Sequence, residues 1–408
     1  MNAFHLELGS RNWEPLIRHK DLLVKITVLM GGTSAERNVS LASGVRVAEA
    51  LRSAGHKVTA VDTARGPLSE TVERKLRENS VGTLPPATDE LERMAREALP
   101  QTVRVLPKRG DTDVVFLALH GGHGEDGTIQ SLLDLTGVPY TGSGHLASAL
   151  AMDKDLSKHL FRRAEVQTAD WVMLSNDDPG SFSIGNLGIP LIVKPSKQGS
   201  TVGLTLVKER GELPAAIAEA FRYDDEVMLE QFIAGREFTV GILGEDALPV
   251  GEIISKHEIY DYECKYTPGM AQEVFPASIS EAWRDKLQDQ ARRAFKALKL
   301  RGYARIDFRM TDDGEPYCLE ANTLPGMTQT SLIPQAAVAA GMSFPELCDR
   351  IVRLALESDY APKGGEWEHR RAAGDGQRAA GKTAKKAAAK AKTKPTGKAK
   401  GKGKREGR

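Results

Sequence analysis

The chain has 408 residues, of which 40% are hydrophobic and 27% charged, and its 56 Lys and Arg nearly balance 55 Asp and Glu for a net charge of +1. This length predicts two or three domains, and no run approaches the roughly 18 to 20 apolar residues that a membrane span needs, so membrane insertion is not expected. The N-terminus lacks the apolar core of a signal peptide, and three cysteines without a CxxC pair favour a reducing, cytoplasmic location without structural zinc.

The first strand-like run covers residues 24–30 and ends in two glycines, and residues 40–51 follow with an amphipathic helix pattern. Residues 1–24 are predicted to be an N-terminal extension. The connecting stretch contains Glu36 and Arg37 close to the predicted helix N-terminus, where free backbone N–H groups favour anions. It is either an anion-binding turn or an ordinary turn between a strand and a helix.

A second strand-like run, residues 113–119, leads into residues 120–127, which contain two His, two acids and four Gly. Such a loop could hold a metal, line a substrate site or form a plain turn. The alternation of strands with helices predicts a layered α/β fold.

Further along the chain, apolar residues 191–193 predict a strand that places Lys194 at its end, before a loop rich in Ser and Gly. A fixed lysine beside a flexible loop suits a nucleoside triphosphate, although the residue order is not that of a P-loop. Residues 227–233 predict another strand with Glu230 inside its apolar run. A buried acid needs a partner, so Glu230 either contacts a ribose or adenine amine or is paired within the protein.

The most informative stretch consists of two strand-like runs around the Asp-Gly pair at 313–314, which is typical of a two-residue hairpin turn. A turn centred there places Asp307 opposite Glu320 and Arg305 opposite Asn322. Opposed carboxylates with about 5 Å between their Cβ atoms repel each other, and a cation between them would remove the repulsion. Hard oxygen ligands predict magnesium or manganese; an ordinary polar sheet face is the alternative.

The C-terminal 47 residues, 362–408, carry 11 Lys and 5 Arg against four acids. Their net charge of +12 leaves −11 for the rest of the chain. From Gly374 onward no aliphatic residue is larger than Ala, so no burial offsets the entropy of ordering, and we expect a disordered basic tail. It is either a solvated tail with weak polyanion affinity or a tether to nucleic acid or an anionic surface.

Nine motifs occur in an order and spacing that resemble the D-alanine-D-alanine ligase family of ATP-grasp enzymes: GGTSAER, LHGxxGEDGTIQ, YTGSG, AMDK, IVKPSxxGSxVG, EFTVGIL, YDYExKY, RIDF and LEANTxPGMT. The resemblance covers residues 25–357. It implies a doubly wound α/β substrate domain at 25–147, a central ATP-grasp subdomain at 148–237 and a C-terminal one at 238–361. ATP would lie between the last two, and the product would be a peptidoglycan precursor.

The resemblance also assigns roles to single residues. Those implied at ATP and its two magnesium or manganese ions are Lys154, Lys194, Glu230, Glu237 and Lys265 for the nucleotide, and Asp307, Glu320 and Asn322 for the metals. Those implied at the two D-alanine molecules are Glu36 for the first amino group, with Ser200 and Tyr266 as its hydrogen-bonded partners, His120 near the first carboxylate, Arg305 and the Gly326 backbone for the oxyanion, and Ser331 with Leu332 for the second carboxylate.

The family chemistry implies an acyl phosphate of the first D-alanine, which the amine of the second then attacks. Residues 260–270 are the expected lid over this intermediate, and a homodimer is implied. One alternative is a D-alanine-D-lactate ligase, although Tyr266 favours the dipeptide. Another is a polyanion-binding protein that retains an inactive ligase body.

Overall fold

The computed structural model describes residues 23–78, 93–94, 100–176, 184, 187–199, 201–260, 264–265, 267 and 269–357. The expected N-terminal extension lies outside this part except for its last two residues, and so does the basic tail. Three sheets with their helices make up the described chain. The mixed α/β class predicted from the sequence is confirmed.

The N-terminal sheet is mainly parallel. Its strands, in the order β3-β2-β1-β4, are β1 (Lys25–Met30), β2 (Lys57–Asp62), β3 (Gly66–Pro67) and β4 (Val114–Leu117). Its helices are α1 (Arg37–Ser53), α2 (Glu70–Glu78) and α3 (Thr128–Thr136). Strand β1 pairs in parallel with β2 and β4, and their apolar side chains are buried. The carboxyl ends of the three strands therefore meet at one edge, where α/β sheets bind ligands.

The central sheet is antiparallel. Its strands, in the order β5-β8-β6-β7, are β5 (Trp171–Ser175), β6 (Leu191–Pro195), β7 (Thr205–Val207) and β8 (Glu226–Gln231). The helices of this part of the chain are α4 (His145–Met152), α5 (Lys154–Arg163) and α6 (Leu213–Ala220). Asp153 caps α5 by accepting a hydrogen bond from the Leu156 backbone N–H, which fixes the start of this helix.

The C-terminal sheet is also antiparallel. Its path is β12-β11-β9-β13-β14, with β10 paired to β9; the strands are β9 (Arg236–Leu243), β10 (Asp246–Ala247), β11 (Gly251–Ser255), β12 (Ala271–Val274), β13 (Tyr303–Met310) and β14 (Pro316–Asn322). Helices α7 (Glu281–Ala297), α8 (Leu332–Ala339) and α9 (Phe344–Glu357) complete the fold. Phe238, Ile306 and Phe308 from this sheet form a buried core with α7.

Some boundaries differ from the sequence prediction. Helix α1 begins at Arg37 rather than at residue 40, and Lys194 lies inside β6, not at its end. In the described part of the chain, no helix is long and apolar enough to cross a membrane. The limits of the three predicted domains stay predictions.

Candidate active site

A cavity between the central and C-terminal sheets contains every residue predicted to bind ATP. Its polar lining includes Lys154, Lys194, Glu230, Glu237, Lys265, Arg305, Asp307 and Glu320. The first three of these belong to α5, β6 and β8, whereas the others, apart from Lys265, belong to β9, β13 and β14. The fold thus brings lysines from one sheet region to face carboxylates from another.

Glu230 lies between two lysines in the wall of this cavity. It is 3% exposed, and its carboxylate accepts hydrogen bonds from Lys158 Nζ at 2.5 Å and Lys194 Nζ at 2.6 Å. Burial opposes ionisation, but the two ammonium groups outweigh it and lower the Glu230 pKa to about 2. The structure therefore shows the pairing alternative for Glu230, and its contact with ATP stays a prediction.

The predicted pairing across β13 and β14 is confirmed, although the predicted turn is wrong. Asp307 lies opposite Glu320, but the strands are joined by residues 311–315, whose ends are linked by the Thr311 N–H donating to the Glu315 carbonyl. That connection alone would shift the pairing by one residue. A bulge between Asp307 and Phe308 restores it.

Protein groups already surround the two opposed carboxylates. Arg305 donates to both Asp307 oxygens at 2.8 to 3.1 Å, and Thr239 Oγ1 donates to Oδ1 at 2.8 Å. The Asn322 amide donates to Asp307 at 2.9 Å and to Glu320 at 3.4 Å. The Arg305 guanidinium and the Asn322 amide offset part of the repulsion between the two carboxylates that was predicted from the sequence.

The donor set of Asp307, Glu320 and Asn322 fits a hard divalent cation. The third member of this set is an amide, and among the described residues no group of three or more His, Cys, Asp or Glu could hold a metal by itself. Rotation of the Asn322 amide exchanges its nitrogen for its oxygen toward the carboxylates. Two carboxylates and an amide oxygen are ligands that magnesium and manganese accept.

Two further carboxyl groups of the cavity have shifted pKa values in opposite directions. Burial opposes the charge on Glu320, but Lys154, whose ammonium lies 3.7 Å away, and other lysines lower its pKa to about 2. Burial raises the pKa of Glu237 to about 6, although the Arg309 guanidinium 3.3 Å away opposes this. Glu320 is therefore ionised at neutral pH, whereas Glu237 gains or loses its proton about one pH unit below neutrality.

A second cavity adjoins the first and contains residues predicted to contact D-alanine. Its lining includes Glu36, His120, Arg305, Gly326, Ser331 and Leu332. Arg305, Lys265, Tyr260 and Leu332 line both cavities. The two predicted groups of residues therefore meet at Arg305.

The position of Glu36 is fixed by its neighbour Arg37. The Arg37 guanidinium donates to Asp62 at the end of β2 and to the Gly32 carbonyl at 2.6 Å, and both charged side chains are buried. Gly31 turns the chain with φ +81°, and a Cβ there would lie 2.4 Å from Asp62 Oδ1, so only glycine fits. The ion pair and the turn fix the start of α1, where Glu36 is the residue before the helix.

His120 is 4% exposed, and both of its ring nitrogens contact protein atoms. Nδ1 lies 2.8 Å from the Leu324 carbonyl and Nε2 3.1 Å from Ser43 Oγ. Burial lowers the pKa of His120, although Glu36 acts in the opposite direction. Of the three alternatives for the loop at 120–127, its place in this cavity favours the substrate-lining one, and contact between His120 and a carboxylate stays a prediction.

Two predicted residues, Ser200 and Tyr266, lie outside the described residues. The chain before Ser200 nevertheless approaches Glu36, because a Cβ on Gly199 would lie 3.1 Å from Glu36 Oε2. Lys265, next to Tyr266, lines both cavities. The predicted triad of Glu36, Ser200 and Tyr266 stays a prediction.

Two residues of the site, Lys158 and Glu125, are given no individual role from the sequence. Lys158 is fully buried, lies four residues after Lys154 on α5, and donates to Thr168 Oγ1 at 2.7 Å as well as to Glu230. Glu125 lines the second cavity, and burial together with the nearby Glu36 raises its pKa to about 7. The spacing of Lys154 and Lys158 on one helix face was the available signal for Lys158; Glu125 had none beyond its place in a glycine-rich loop.

Family models and curated relatives agree on one family. Residues 25–143 match the model described as D-ala D-ala ligase N-terminus, and residues 160–353 match the D-ala D-ala ligase C-terminus. The D-alanine--D-alanine ligase of Syntrophotalea carbinolica is 44% identical over 329 residues, which are 80% of this chain and 95% of the relative. That of Desulfotalea psychrophila is 43% identical, over 84% of this chain and 98% of the relative.

Solved structures give the same result. The D-alanine--D-Alanine Ligase from Bacillus anthracis complexed with ATP has a TM-score of 0.63 and 32% identity, covering 82% of this chain and 97% of that one. The VanG D-Ala:D-Ser ligase from Enterococcus faecalis has a TM-score of 0.65 and 30% identity, covering 82% of this chain and all of that one. The chain belongs to the D-alanine-D-alanine ligase family.

Proposed function

We propose that the protein is an ATP-dependent ligase that joins two D-alanine molecules into D-alanyl-D-alanine for peptidoglycan synthesis, with release of ADP and phosphate. The observation that carries this proposal is the meeting of the two cavities at Arg305. One cavity offers lysines and carboxylates suited to a nucleotide, and the other offers groups suited to an amino acid.

The first step activates a carboxylate, which is otherwise a poor electrophile. An oxygen of the first D-alanine attacks the γ-phosphorus of ATP, so that a P–O bond forms and ADP leaves, giving an acyl phosphate. Lys154 and Lys194 neutralise phosphate oxygens. Asp307, Glu320 and Asn322 would hold the two Mg²⁺ or Mn²⁺ ions, which would offset the charge on the phosphates.

The second step forms the peptide bond. The amine of the second D-alanine attacks the acyl carbon, and the Arg305 guanidinium and the Gly326 N–H stabilise the tetrahedral oxyanion. The C–O bond to phosphate then breaks. Ser331 and the N–H of Leu332 stand at the first turn of α8, where the helix N-terminus suits the carboxylate of the second D-alanine.

Glu36 holds the ammonium group of the first D-alanine in this proposal. Ser200 and Tyr266 complete the triad and relay the proton that the incoming amine loses to the departing phosphate. The lid at 260–270 excludes water that would hydrolyse the acyl phosphate. Tyr266→Phe tests the relay, since full dipeptide synthesis by this variant would contradict it.

The test is the production of ADP and dipeptide from ATP with D-alanine alone, and with D-alanine together with D-lactate. We expect D-alanyl-D-alanine in a 1:1 ratio with ADP. Turnover with D-lactate added to D-alanine at neutral pH, without dipeptide, would instead support the D-alanine-D-lactate ligase alternative.

A cytoplasmic location, a homodimer and polyanion contact through the basic tail stay predictions. A truncation after Tyr360 compared with the full chain separates the catalytic body from the tail. Equal activity of the two forms, with salt-dependent nucleic-acid binding only in the full chain, would make the tail an accessory tether. If neither form were active, the inactive-body alternative would stand.

A further inference from the structure

The segment that contains Gly326 is hydrogen-bonded at both ends to side chains from the N-terminal part of the chain. We call residues 324–327 the oxyanion segment; it follows β14. Its four contacts are the Leu324 N–H with Glu125 Oε1 at 3.0 Å, the Leu324 carbonyl with His120 Nδ1 at 2.8 Å, the Met327 N–H with Ser43 Oγ at 3.1 Å, and the Met327 carbonyl with Arg46 at 3.2 Å. Gly326 lies between the two contacted residues.

His120 and Ser43 link Leu324 to Met327 through a continuous series of hydrogen bonds, and each donor and acceptor in this series can be assigned. The Leu324 carbonyl can only accept, so His120 Nδ1 carries the proton. Burial lowers the pKa of the ring and so favours its neutral form, in which Nε2 accepts a hydrogen bond from the Ser43 hydroxyl. The same Ser43 oxygen accepts the Met327 N–H. Each buried polar atom of this series has a partner, which stabilises one arrangement.

Glu125 connects the same segment to its own loop. One carboxylate oxygen accepts the Leu324 N–H, and the other accepts the Gly121 N–H at 2.8 Å. Arg46 lies one turn of α1 beyond Ser43, and its guanidinium also stacks 4.0 Å from the Phe344 ring. Helix α1, which begins next to Glu36, is thereby joined to the oxyanion segment.

We propose that Ser43, Arg46, His120 and Glu125 are positioning residues that aim the Gly326 N–H at the oxyanion of the second step. This inference rests on the proposed function. It gives His120 a role through the backbone of Leu324, which differs from the substrate contact that the family resemblance implies. Misplacing a reacting group by about 1 Å can cost about 100-fold in rate, and loss of one oxyanion donor costs about 100- to 1,000-fold.

The test compares Glu125→Gln and Ser43→Ala in the full-length protein. A glutamine has only one acceptor oxygen, so its NH₂ group would face one of the two backbone N–H groups. We measure the KM for ATP, the kcat, and the ratio of phosphate released to dipeptide formed. We expect a KM for ATP within about two-fold of wild type and a kcat lowered at least ten-fold. We also expect a ratio above one, because an acyl phosphate that waits for the second step hydrolyses.

Ser40→Ala is the matched control. Ser40 is a fully buried serine one turn earlier on α1, and it bonds the Gly31 N–H and the Ala118 carbonyl, each at 2.7 Å, without contacting the oxyanion segment. The ratio of phosphate released to dipeptide formed by Ser40→Ala should stay at one. Arg46→Gln, at a half-buried position, is a second and milder test if the buried variants do not fold.

The inference would be overturned if Glu125→Gln, Ser43→Ala and Arg46→Gln all released one phosphate for each dipeptide. This holds if their kcat is normal, and also if kcat falls while the KM for ATP changes, as in a general structural defect. The proposed function would survive that result. If the wild-type protein forms no dipeptide, the proposed function itself fails, and this inference fails with it.

Discussion

Lys158→Met removes a buried charge that lies behind Glu230 and does not line the nucleotide cavity. Lys158 is fully buried and donates to Glu230 and Thr168, and Glu230 keeps only Lys194 when Lys158 is removed. Methionine fills the space of the lysine stem without its charge. The substitution therefore removes the charge of Lys158 and its hydrogen bonds to Glu230 and Thr168 while keeping the apolar packing of the side chain.

The magnitude follows from the shifted pKa. The Glu230 pKa of about 2 against an ordinary value of 4.5 corresponds to about 3 kcal/mol in favour of the ionised carboxylate, at about 1.4 kcal/mol per pKa unit. Two lysines share this effect, and burial lowers the pKa of Lys158, so its own charge is costly. Removing one partner of a buried pair costs about 3–5 kcal/mol. Because Lys194 remains, we expect a loss of about 2 kcal/mol.

Urea unfolding followed by intrinsic fluorescence measures this loss, since the Trp171 ring lies 5.1 Å from the Lys158 ammonium. The control is Lys208→Met, which removes a lysine that is 57% exposed and paired with Glu258. An exposed pair contributes less than about 1 kcal/mol. If Lys158→Met were as stable as the control, the reasoning about the buried pair would be refuted.

Two further substitutions test other parts of the site. Burial raises the Glu237 pKa to about 6, against 4.5 in the unfolded chain. Between these two pH values the folded state keeps a proton that the unfolded chain has lost. The free energy of unfolding of the wild type therefore falls as the pH rises through this window. Glu237→Gln should remove this dependence and raise the free energy of unfolding in urea at pH 7 by about 2 kcal/mol, while its KM for ATP rises. A variant that is no more stable than wild type at pH 7 and keeps the pH dependence would contradict the assignment. Gly326→Ala should lower dipeptide synthesis at least ten-fold with folding retained, because the new Cβ would lie 2.7 Å from Ser331 Oγ, whereas Gly211→Ala, with no atom within 4 Å, should be neutral; equal activity of the two variants would count against the role of Gly326.

The pairing of Asp307 with Glu320, the two carboxylates of the predicted metal site, was predicted correctly, but only because two differences from the predicted hairpin cancel. The prediction placed Asp307 opposite Glu320 by a two-residue turn at Asp313-Gly314, whereas the strands are joined by the longer connection at 311–315. The bulge beside Phe308 compensates. A bulge depends on how the strand packs in the sheet rather than on any residue type, so the sequence carried no sign of it.

The partners of Lys158 and Glu125 could not be predicted from local sequence pattern. Glu230 is 72 residues from Lys158, and Glu125 is 199 residues from Leu324. Periodicity and turn signals describe neighbours along the chain, whereas these pairs form only when separate elements pack together. The family motifs indicated which residues to expect at the site, and the structure adds the side chains that contact some of them.

The most direct test of the proposed function uses D-alanine labelled with ¹⁸O in its carboxylate, with mass spectrometry of the phosphate and the dipeptide. Formation of an acyl phosphate joins one carboxylate oxygen to the γ-phosphorus, and this oxygen leaves with the phosphate, so we expect one ¹⁸O in each phosphate for each dipeptide formed. Dipeptide accompanied by unlabelled phosphate would contradict the acyl-phosphate mechanism. Absence of both dipeptide and D-alanine-dependent ADP would contradict the ligase function itself.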